Sequence, residues 1–209
     1  MKKLFLIGIP ALVFFAACKK SHIEADNGCI SIASPKYVTG ADSAAATALL
    51  KSNNIDYTSL RYTHVVLRDT LPNNGGILNI VFAVKFYNGL PDLTWNYDYN
   101  FINGVYRNTY PSQVASINVA PIASLTLQQV RQAFINGGLA NHPAVNMADS
   151  CLVAQFGYYN LNAGITNASP NYVTAWYVTP AHSNYPEAII IDSDGSVQYF
   201  TTGPVLLTN

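Results

Sequence analysis

The first periodic segment of the chain is helical. Residues 40–53 place apolar side chains at i, i+4, i+7 and i+8, which is the spacing of one helical face. These side chains are Ala41, Ala45, Ala48 and Leu49. Thr39 and Asp42 resemble a weak capping box at the start. The pattern therefore predicts a helix over 40–53.

A second helical segment begins near Ser124. Thr126 followed by Gln129 fits a capping box, and the side chains expected to be buried are Leu127, Val130 and Phe134. The pair Gly137-Gly138 is expected to end this helix.

The remaining apolar segments have the period of strands. The cleanest alternation runs from Leu93 to Phe101, with Trp95, Tyr97 and Tyr99 on one side and polar residues on the other, which is typical of a half-buried antiparallel strand. Further strands are predicted over 61–69, 78–86, 152–159, 172–179, 187–192 and 196–202. Asn88-Gly89, Asn103-Gly104 and Ser193-Asp194-Gly195 are predicted to turn the chain between neighbouring strands.

The order of one helix followed by antiparallel strands occurs twice, over 36–112 and over 120–204. Because helices do not alternate singly with strands, a parallel doubly wound sheet is disfavoured. We therefore expect an α+β fold of two modules, each with one helix cradled by a curled sheet.

The start of the sequence has the organisation of an export signal. Lys2 and Lys3 precede an apolar stretch over 4–17, which is shorter than the roughly 20 residues that cross a bilayer. Phe15-Ala16-Ala17-Cys18 matches the pattern that lipoprotein signal peptidase recognises. We expect residues 1–17 to be removed, Cys18 to be acylated and residues 18–35 to form a tether.

The charge of the mature chain excludes one class of function, and its cysteines predict a disulfide. Loss of Lys2 and Lys3 leaves nine of the 11 Lys and Arg against 11 Asp and Glu, so the mature chain lacks the basic face of a nucleic-acid-binding protein. Cys29 and Cys151 remain, and such a pair in an oxidising compartment is expected to form a disulfide. Two buried thiols are the alternative.

Several segments resemble the two-part prodomain of fungalysin- and thermolysin-type secreted metalloproteases. Ala44 to Leu50 is similar to the helix that opens the propeptide motif, and Ile80 to Pro91 to the strand that ends in a Tyr-Asn-Gly-aliphatic-Pro turn. In the second half, Leu125 to Ile135, Tyr172 to Val178 and Ala188 to Phe200 are similar to a PepSY-type module. The resemblance implies two cystatin-like modules.

The resemblance also implies a binding role without catalysis. The sequence reaches Asn209, where that family begins its protease domain, and it has no His-Glu-x-x-His. Any inhibition would therefore act on a partner in trans. We expect no enzyme activity, no cofactor and no metal site; the turn around Asp192 and Asp194 is explained by turn chemistry rather than by calcium.

The strand aromatics suggest a second hypothesis. Core packing is the simpler explanation for them, but an exposed aromatic face would form a platform for a sugar ring or a peptide. The candidates are Trp95, Tyr97, Tyr99, Tyr172 and Trp176.

The first hypothesis for the function is a lipid-anchored protein of the cell envelope that binds a secreted protease or another envelope protein. We expect it at the outer membrane or cell surface rather than at the inner membrane. The alternative is a lipoprotein that binds a surface carbohydrate or small ligand.

Overall fold

The computed structural model describes residues 28–72, 75–112, 114, 116–142, 147 and 149–203. Within these ranges the chain forms two helices and ten strands, which confirms the predicted α+β class. The helices are α1 (Gly40–Ser52) and α2 (Leu127–Asn141). The strands are β1 (Ile30–Ile32), β2 (Leu60–Thr70), β3 (Ile77–Tyr87), β4 (Leu90–Pro91), β5 (Tyr97–Ile102), β6 (Val105–Tyr110), β7 (Leu152–Asn160), β8 (Tyr172–Pro180), β9 (Glu187–Ile191) and β10 (Val197–Thr201).

The first module consists of α1 and an antiparallel sheet with the strand order β2-β3-β5-β6, to which the short β4 adds beside β3. α1 packs on one face of this sheet, where Leu50 and Phe101 are fully buried. Complete burial of an apolar side chain of this size contributes about 1.5–3 kcal/mol. Asn88-Gly89 and Asn103-Gly104 have positive φ at both positions, as two-residue hairpin turns require, so both turn predictions are confirmed.

The buried face of α1 differs from the predicted one. Ala46 and Leu50 point into the core, whereas Ala41 and Ala48 are exposed. Alanines occur around the whole circumference of this helix, so spacing alone does not distinguish one face from its neighbour. Thr39 occupies the N-cap position, but its side chain makes no capping hydrogen bond.

The alternation predicted for β5 is confirmed, and β3 is apolar on both of its faces. Tyr97 and Tyr99 face α1, as the pattern of β5 predicts. In β3 the helix-facing side chains are Val81 and Ala83, so the apolar series that includes Ile80 lies on the other face of the sheet. A strand that is apolar on both sides carries no sequence signal for which side is buried.

The second module combines α2 with the strand order β1-β7-β8-β9-β10. The predicted capping box is present, since Thr126 Oγ1 accepts from the Gln129 backbone N–H and the Gln129 side chain accepts from the Thr126 N–H. Val130 and Phe134 are buried against the sheet, and Leu127 packs beside them.

Gly137 and Gly138 do not end α2, which continues to Asn141. A Cβ on Gly137 would lie 2.6 Å from Cγ2 of Val197 in β10. These glycines therefore allow the helix to approach the sheet closely, which corrects their assignment as a helix stop.

Part of the predicted tether over 18–35 is structured. Ile30–Ile32 forms β1, which pairs in parallel with β7, and Cys29 is joined to Cys151 by a disulfide across 122 positions of sequence. The predicted disulfide is thus present, and the edge strand beside it belongs to the second sheet.

Cys18 and the expected signal peptide over 1–17 lie outside the described residues. Neither described helix is long and apolar enough to cross a membrane.

Candidate functional site

The loop of residues 92–96 between β4 and β5 lies against the second module. Asp92 forms an isolated parallel bridge with Tyr158 of β7, and the Leu93 N–H donates to the Tyr158 carbonyl at 2.7 Å. The Asn160 N–H donates to Thr94 Oγ1 at 2.8 Å. The β4–β5 loop therefore occupies part of the β7 edge and ties the two modules together.

Gly157 makes this close approach possible. A Cβ at this position would lie 2.5 Å from the Pro91 carbonyl oxygen and 2.7 Å from Leu93 Cγ. Because the nearest atom belongs to the backbone of the loop, a Cβ at this position would force the loop to shift, so the close approach depends on glycine at this point of β7.

Asp92 is the polar centre of the contact between the modules. Its side chain is 2% exposed. Oδ2 accepts from the Tyr97 hydroxyl at 2.6 Å and from the Tyr172 hydroxyl at 3.0 Å, while Oδ1 accepts from the Thr94 N–H at 2.8 Å. A buried carboxylate requires such donors, because the cost of removing it from water is otherwise large.

The two phenols at Asp92 are held in their neutral, donating form. Burial, followed by repulsion from the Asp92 carboxylate, raises the pKa of both Tyr97 and Tyr172. The hydrogen bonds from both modules to Asp92 are therefore retained at neutral pH.

The chain between β6 and α2 packs against the contact between the modules on the side away from the cleft described below. Tyr87 donates to the Val114 carbonyl at 3.1 Å, Tyr158 donates to the Val119 carbonyl at 2.9 Å, and the Asn88 amide donates to the Ile117 carbonyl at 3.0 Å. Burial raises the pKa of Tyr87 to about 12. The segment is thus anchored by side chains of both modules.

A cleft of about 360 Å³ opens between the modules on the other side of the β4–β5 loop. Thr63 and Val84 of the first sheet form one wall, Gln155 and Tyr177 of the second sheet form the opposite wall, and the β4–β5 loop forms the floor. We call this space the interdomain cleft.

The interdomain cleft combines aromatic rings with neutral polar groups. Trp95 is half-buried, packs against the core of the first module and lines the cleft. Thr63 Oγ1 donates to Asn96 Oδ1 at 2.9 Å, and the Tyr177 hydroxyl donates to Glu187 Oε2 at 2.5 Å. Burial, and next the bond to Glu187, raises the pKa of Tyr177. Such groups can stack on a ligand and hydrogen-bond to it.

The face of the first sheet that points away from α1 is the second feature of interest, and we call it the outer face. Its central series on β3 is apolar and half-buried, and it consists of Leu78, Ile80, Phe82 and Val84. Polar partners on β5 flank it, including Asp98, whose pKa is raised by burial. At the β6 edge Val105 is 54% exposed and Tyr110 is 68% exposed.

The strand aromatics do not form the exposed platform of the second hypothesis. Tyr97, Tyr99 and Trp176 are buried in the cores, and Tyr172 is half-buried at Asp92. Core packing, the simpler expectation, describes these four residues. Two of the five candidates border open space: Trp95, which lies in the β4–β5 loop, lines the interdomain cleft, and Tyr172 lines a separate cavity of about 350 Å³.

Asp192 and Asp194 have separate roles. Asp194 is exposed and accepts from the Ser196 N–H at 2.9 Å, as turn chemistry predicts. Asp192 is 0% exposed and accepts from the Trp176 indole N–H at 2.7 Å and from the backbone N–H groups of Ser124 and Leu125. Asp192 thus positions the entry to α2, a role that its sequence neighbours do not signal.

The described residues contain no group of three His, Cys, Asp or Glu side chains that could hold a metal ion. His64 lies against the Phe82 ring, and His142 stacks on Phe200. His182 is exposed in the loop that follows β8, and His22 lies outside the described residues.

The comparisons with known proteins identify no family. No family model matches the sequence, and no curated protein matches it. Among solved structures, the chain is similar to the Bacillus megaterium YpeB C-terminal domain, with 13% identity, a TM-score of 0.38, and coverage of 81% of this chain and 68% of that chain. A likeness at this level carries no argument about function.

Proposed function

We propose that the chain is a lipid-anchored, non-enzymatic protein of the cell envelope that binds a secreted protease or another envelope protein. The observation that carries this proposal is the outer face of the first sheet. One layer of apolar side chains already packs on α1, yet the opposite layer on β3 is also apolar.

An antiparallel sheet with one solvated face normally alternates apolar and polar residues. The presence of Ile80, Phe82 and Val84 on the solvent side is therefore a cost unless a partner covers them. Val105 of the edge strand β6 continues this surface through Ile102, whereas Tyr110 lies beyond Asp98 of β5. Apolar surface on the side of a sheet that faces away from its core is typical of a protein interaction site.

The sequence resemblance supports a protease as the partner. The Tyr87-Asn88-Gly89-Leu90-Pro91 turn and the helix-then-strands order are similar to the prodomain of secreted metalloproteases. A chain that contacts such an enzyme from outside would use a sheet face or a sheet edge. The partner would be bound in trans, with the acyl chain at Cys18 holding this protein at the membrane.

The binding proposal is tested with photo-crosslinking in the envelope. A photoreactive phenylalanine at position 110 places the crosslinker on the outer face, and the same residue at the exposed Ile165 serves as the matched control. We expect position 110 to capture an envelope or secreted protein that position 165 does not capture. Equal capture at both positions, or none at position 110, contradicts the proposal.

A second assay addresses the protease directly. The mature protein is expected to slow a thermolysin-type protease, and Phe82→Lys is expected to abolish this effect while Ile165→Lys retains it. Full protease activity in the presence of the wild-type chain contradicts the protease as partner, and crosslinking then decides whether another envelope protein is bound.

The lipid anchor is tested separately. Intact-mass analysis of membrane-extracted protein should show loss of residues 1–17 and an acylated Cys18, and Cys18→Ser should release the protein from the membrane fraction. An unmodified thiol with residues 1–17 still attached contradicts the anchor.

A further inference from the structure

We propose that the interdomain cleft is a binding site for a neutral saccharide, with one sugar ring stacked on Trp95. This site shares Val84 with the end of the outer face, but Trp95, Asn96, Gln155 and Tyr177 lie outside that face, so the proposal goes beyond protein binding. Its ligand class follows from the shape, the polar groups and the charges of the cleft.

The dimensions and position of the cleft suit a small ligand. At about 360 Å³ it lies in the lower part of the range of about 300–1,000 Å³ that is typical of small-molecule sites. Sites of this kind occur preferentially between domains. Here the two walls come from different sheets, so a ligand would contact both modules.

Trp95 provides the stacking surface. The indole is apolar on its faces and carries a polar N–H at its edge, which suits it to a ring with one apolar face and hydroxyl groups on its rim. Trp95 is half-buried against the first core and also lines the cleft, so its ring is held in place while part of it stays accessible. Tyr177 supplies a second ring from the opposite wall.

The polar groups of the cleft are amides and hydroxyls. Asn96 is exposed, and its Oδ1 accepts from Thr63, so its Nδ2 remains as a donor for a ligand. Gln155 also lines the cleft, and its side chain is hydrogen-bonded to Tyr37, which takes up part of the capacity of its amide group. Each amide group can both donate and accept, as a ligand rich in hydroxyl groups requires.

The charges of the cleft favour an uncharged ligand. Among the described residues that line it there is no Lys, Arg or His. Asp92 lines it and accepts from Tyr97 and Tyr172, and Glu187 accepts from the lining residue Tyr177. A phosphate or carboxylate would therefore lie near negative charge with no cation in this described lining to pair with it, whereas an uncharged sugar would not.

The floor of the cleft is rigid before any ligand binds. The β4–β5 loop is held by the Asp92 hydrogen bonds, by the Leu93 N–H to the Tyr158 carbonyl and by close contact with Gly157. A loop that is already ordered loses little further conformational entropy when it binds a ligand, which favours affinity.

The experiment uses the two tryptophans of the chain, Trp95 and Trp176. Trp176 is buried and is first replaced in Trp176→Phe, so that fluorescence reports on Trp95 alone. This change also removes the indole donor to Asp192, so the variant is used once its circular dichroism spectrum matches that of the wild type. The mature protein in detergent is titrated with neutral hexasaccharides of glucose, xylose, mannose and N-acetylglucosamine. Inorganic phosphate and tetra-alanine are the comparison probes. We expect one saccharide to change the Trp95 emission with a saturable, millimolar or tighter isotherm, confirmed by calorimetry on the wild-type chain.

Three variants then locate the site. Trp95→Ala should weaken binding by about ten-fold or more, because it removes the stacking surface. Because Trp95 also packs on the core, Asn96→Ala, which alters an exposed side chain, provides an independent test and should weaken binding several-fold. Tyr110→Ala removes an exposed aromatic from the outer face and should leave saccharide binding unchanged.

Several outcomes would overturn the proposal. Absence of binding by every saccharide, binding of tetra-alanine or phosphate in their place, or equal affinity in wild-type, Trp95→Ala and Asn96→Ala would each do so. Crosslinking at position 110 would be unaffected by any of these results, so failure of the saccharide site and failure of the protein-binding face are distinguishable.

Discussion

Tyr172 of the second module donates a 3.0 Å hydrogen bond to Oδ2 of Asp92 in the first module, across 80 positions of sequence. The same oxygen accepts from Tyr97, so one buried carboxylate is shared between the two sheets. The relative position of the modules, and with it the width of the interdomain cleft, depends on this contact.

Tyr172→Phe should destabilise the protein by about 1.5–3 kcal/mol, the range for a lost hydrogen bond to a charged group. In the variant Asp92 stays buried but accepts one hydrogen bond fewer, so the contact between the modules is weakened. Urea unfolding monitored by circular dichroism measures the change. Tyr110→Phe is the control, because that side chain is exposed; equal midpoints for Tyr172→Phe and wild type would refute the role given to this bond.

Alkaline pH should weaken the same contact. Burial raises the pKa of Tyr97 and Tyr172 above the unfolded value of about 10, so the folded state holds these protons more tightly. Their contribution to stability is fully present below about pH 10 and is lost as the pH rises through the folded-state pKa. Urea midpoints should therefore fall above about pH 10, and less steeply in Tyr172→Phe. Parallel curves for the two proteins would contradict this linkage.

Local patterns predicted most of the elements of this fold. The Thr126 capping box, the Asn-Gly turns and the alternation in β5 each depend on residues that are neighbours in sequence, and all three are present. The predictions that differed depend on contacts between elements. α1 is alanine-rich on several sides, so its buried side is set by the sheet on which it packs. Gly137 and Gly138 lie against β10 within α2, and β1 forms in the predicted tether because it pairs with β7.

The candidate site could not be predicted in the same way. Asp92 has no local signal for a shared role, because its partners Tyr97 and Tyr172 lie in different modules and meet through the fold. The same holds for the cleft, where Trp95 faces Gln155 and Tyr177. The sequence identified Trp95 as a candidate but grouped it with Tyr97 and Tyr99, since strict alternation does not reveal that β5 starts after it.

Asp192 and Asp194 are two residues apart but differ in burial, so the same substitution at each position tests the role of Asp192. Asp192→Asn keeps the size of the side chain but weakens hydrogen bonds to the Trp176 indole and to two backbone N–H groups before α2, so we expect a loss of about 1.5–3 kcal/mol or more. Asp194→Asn changes an exposed turn residue and should cost less than about 0.5 kcal/mol. Thermal unfolding followed by circular dichroism compares them, and a larger effect at Asp194 would show that Asp192 does not anchor α2.

Gly157→Ala tests whether the β4–β5 loop must lie directly on β7. The added methyl group would sit 2.5 Å from the Pro91 carbonyl oxygen, so the loop has to move away. Overpacking of this kind costs about 1–3 kcal/mol, and here it should also disturb the Asp92 hydrogen bonds and reposition Trp95. We expect a lower urea midpoint together with a shifted Trp95 emission in the Trp176→Phe background. Gly203→Ala is the control, because a Cβ there meets nothing within 4 Å. Gly157→Ala could instead match that control in both stability and emission. The β4–β5 loop would then accommodate the added methyl group without cost, which would contradict the rigid floor assigned to the interdomain cleft.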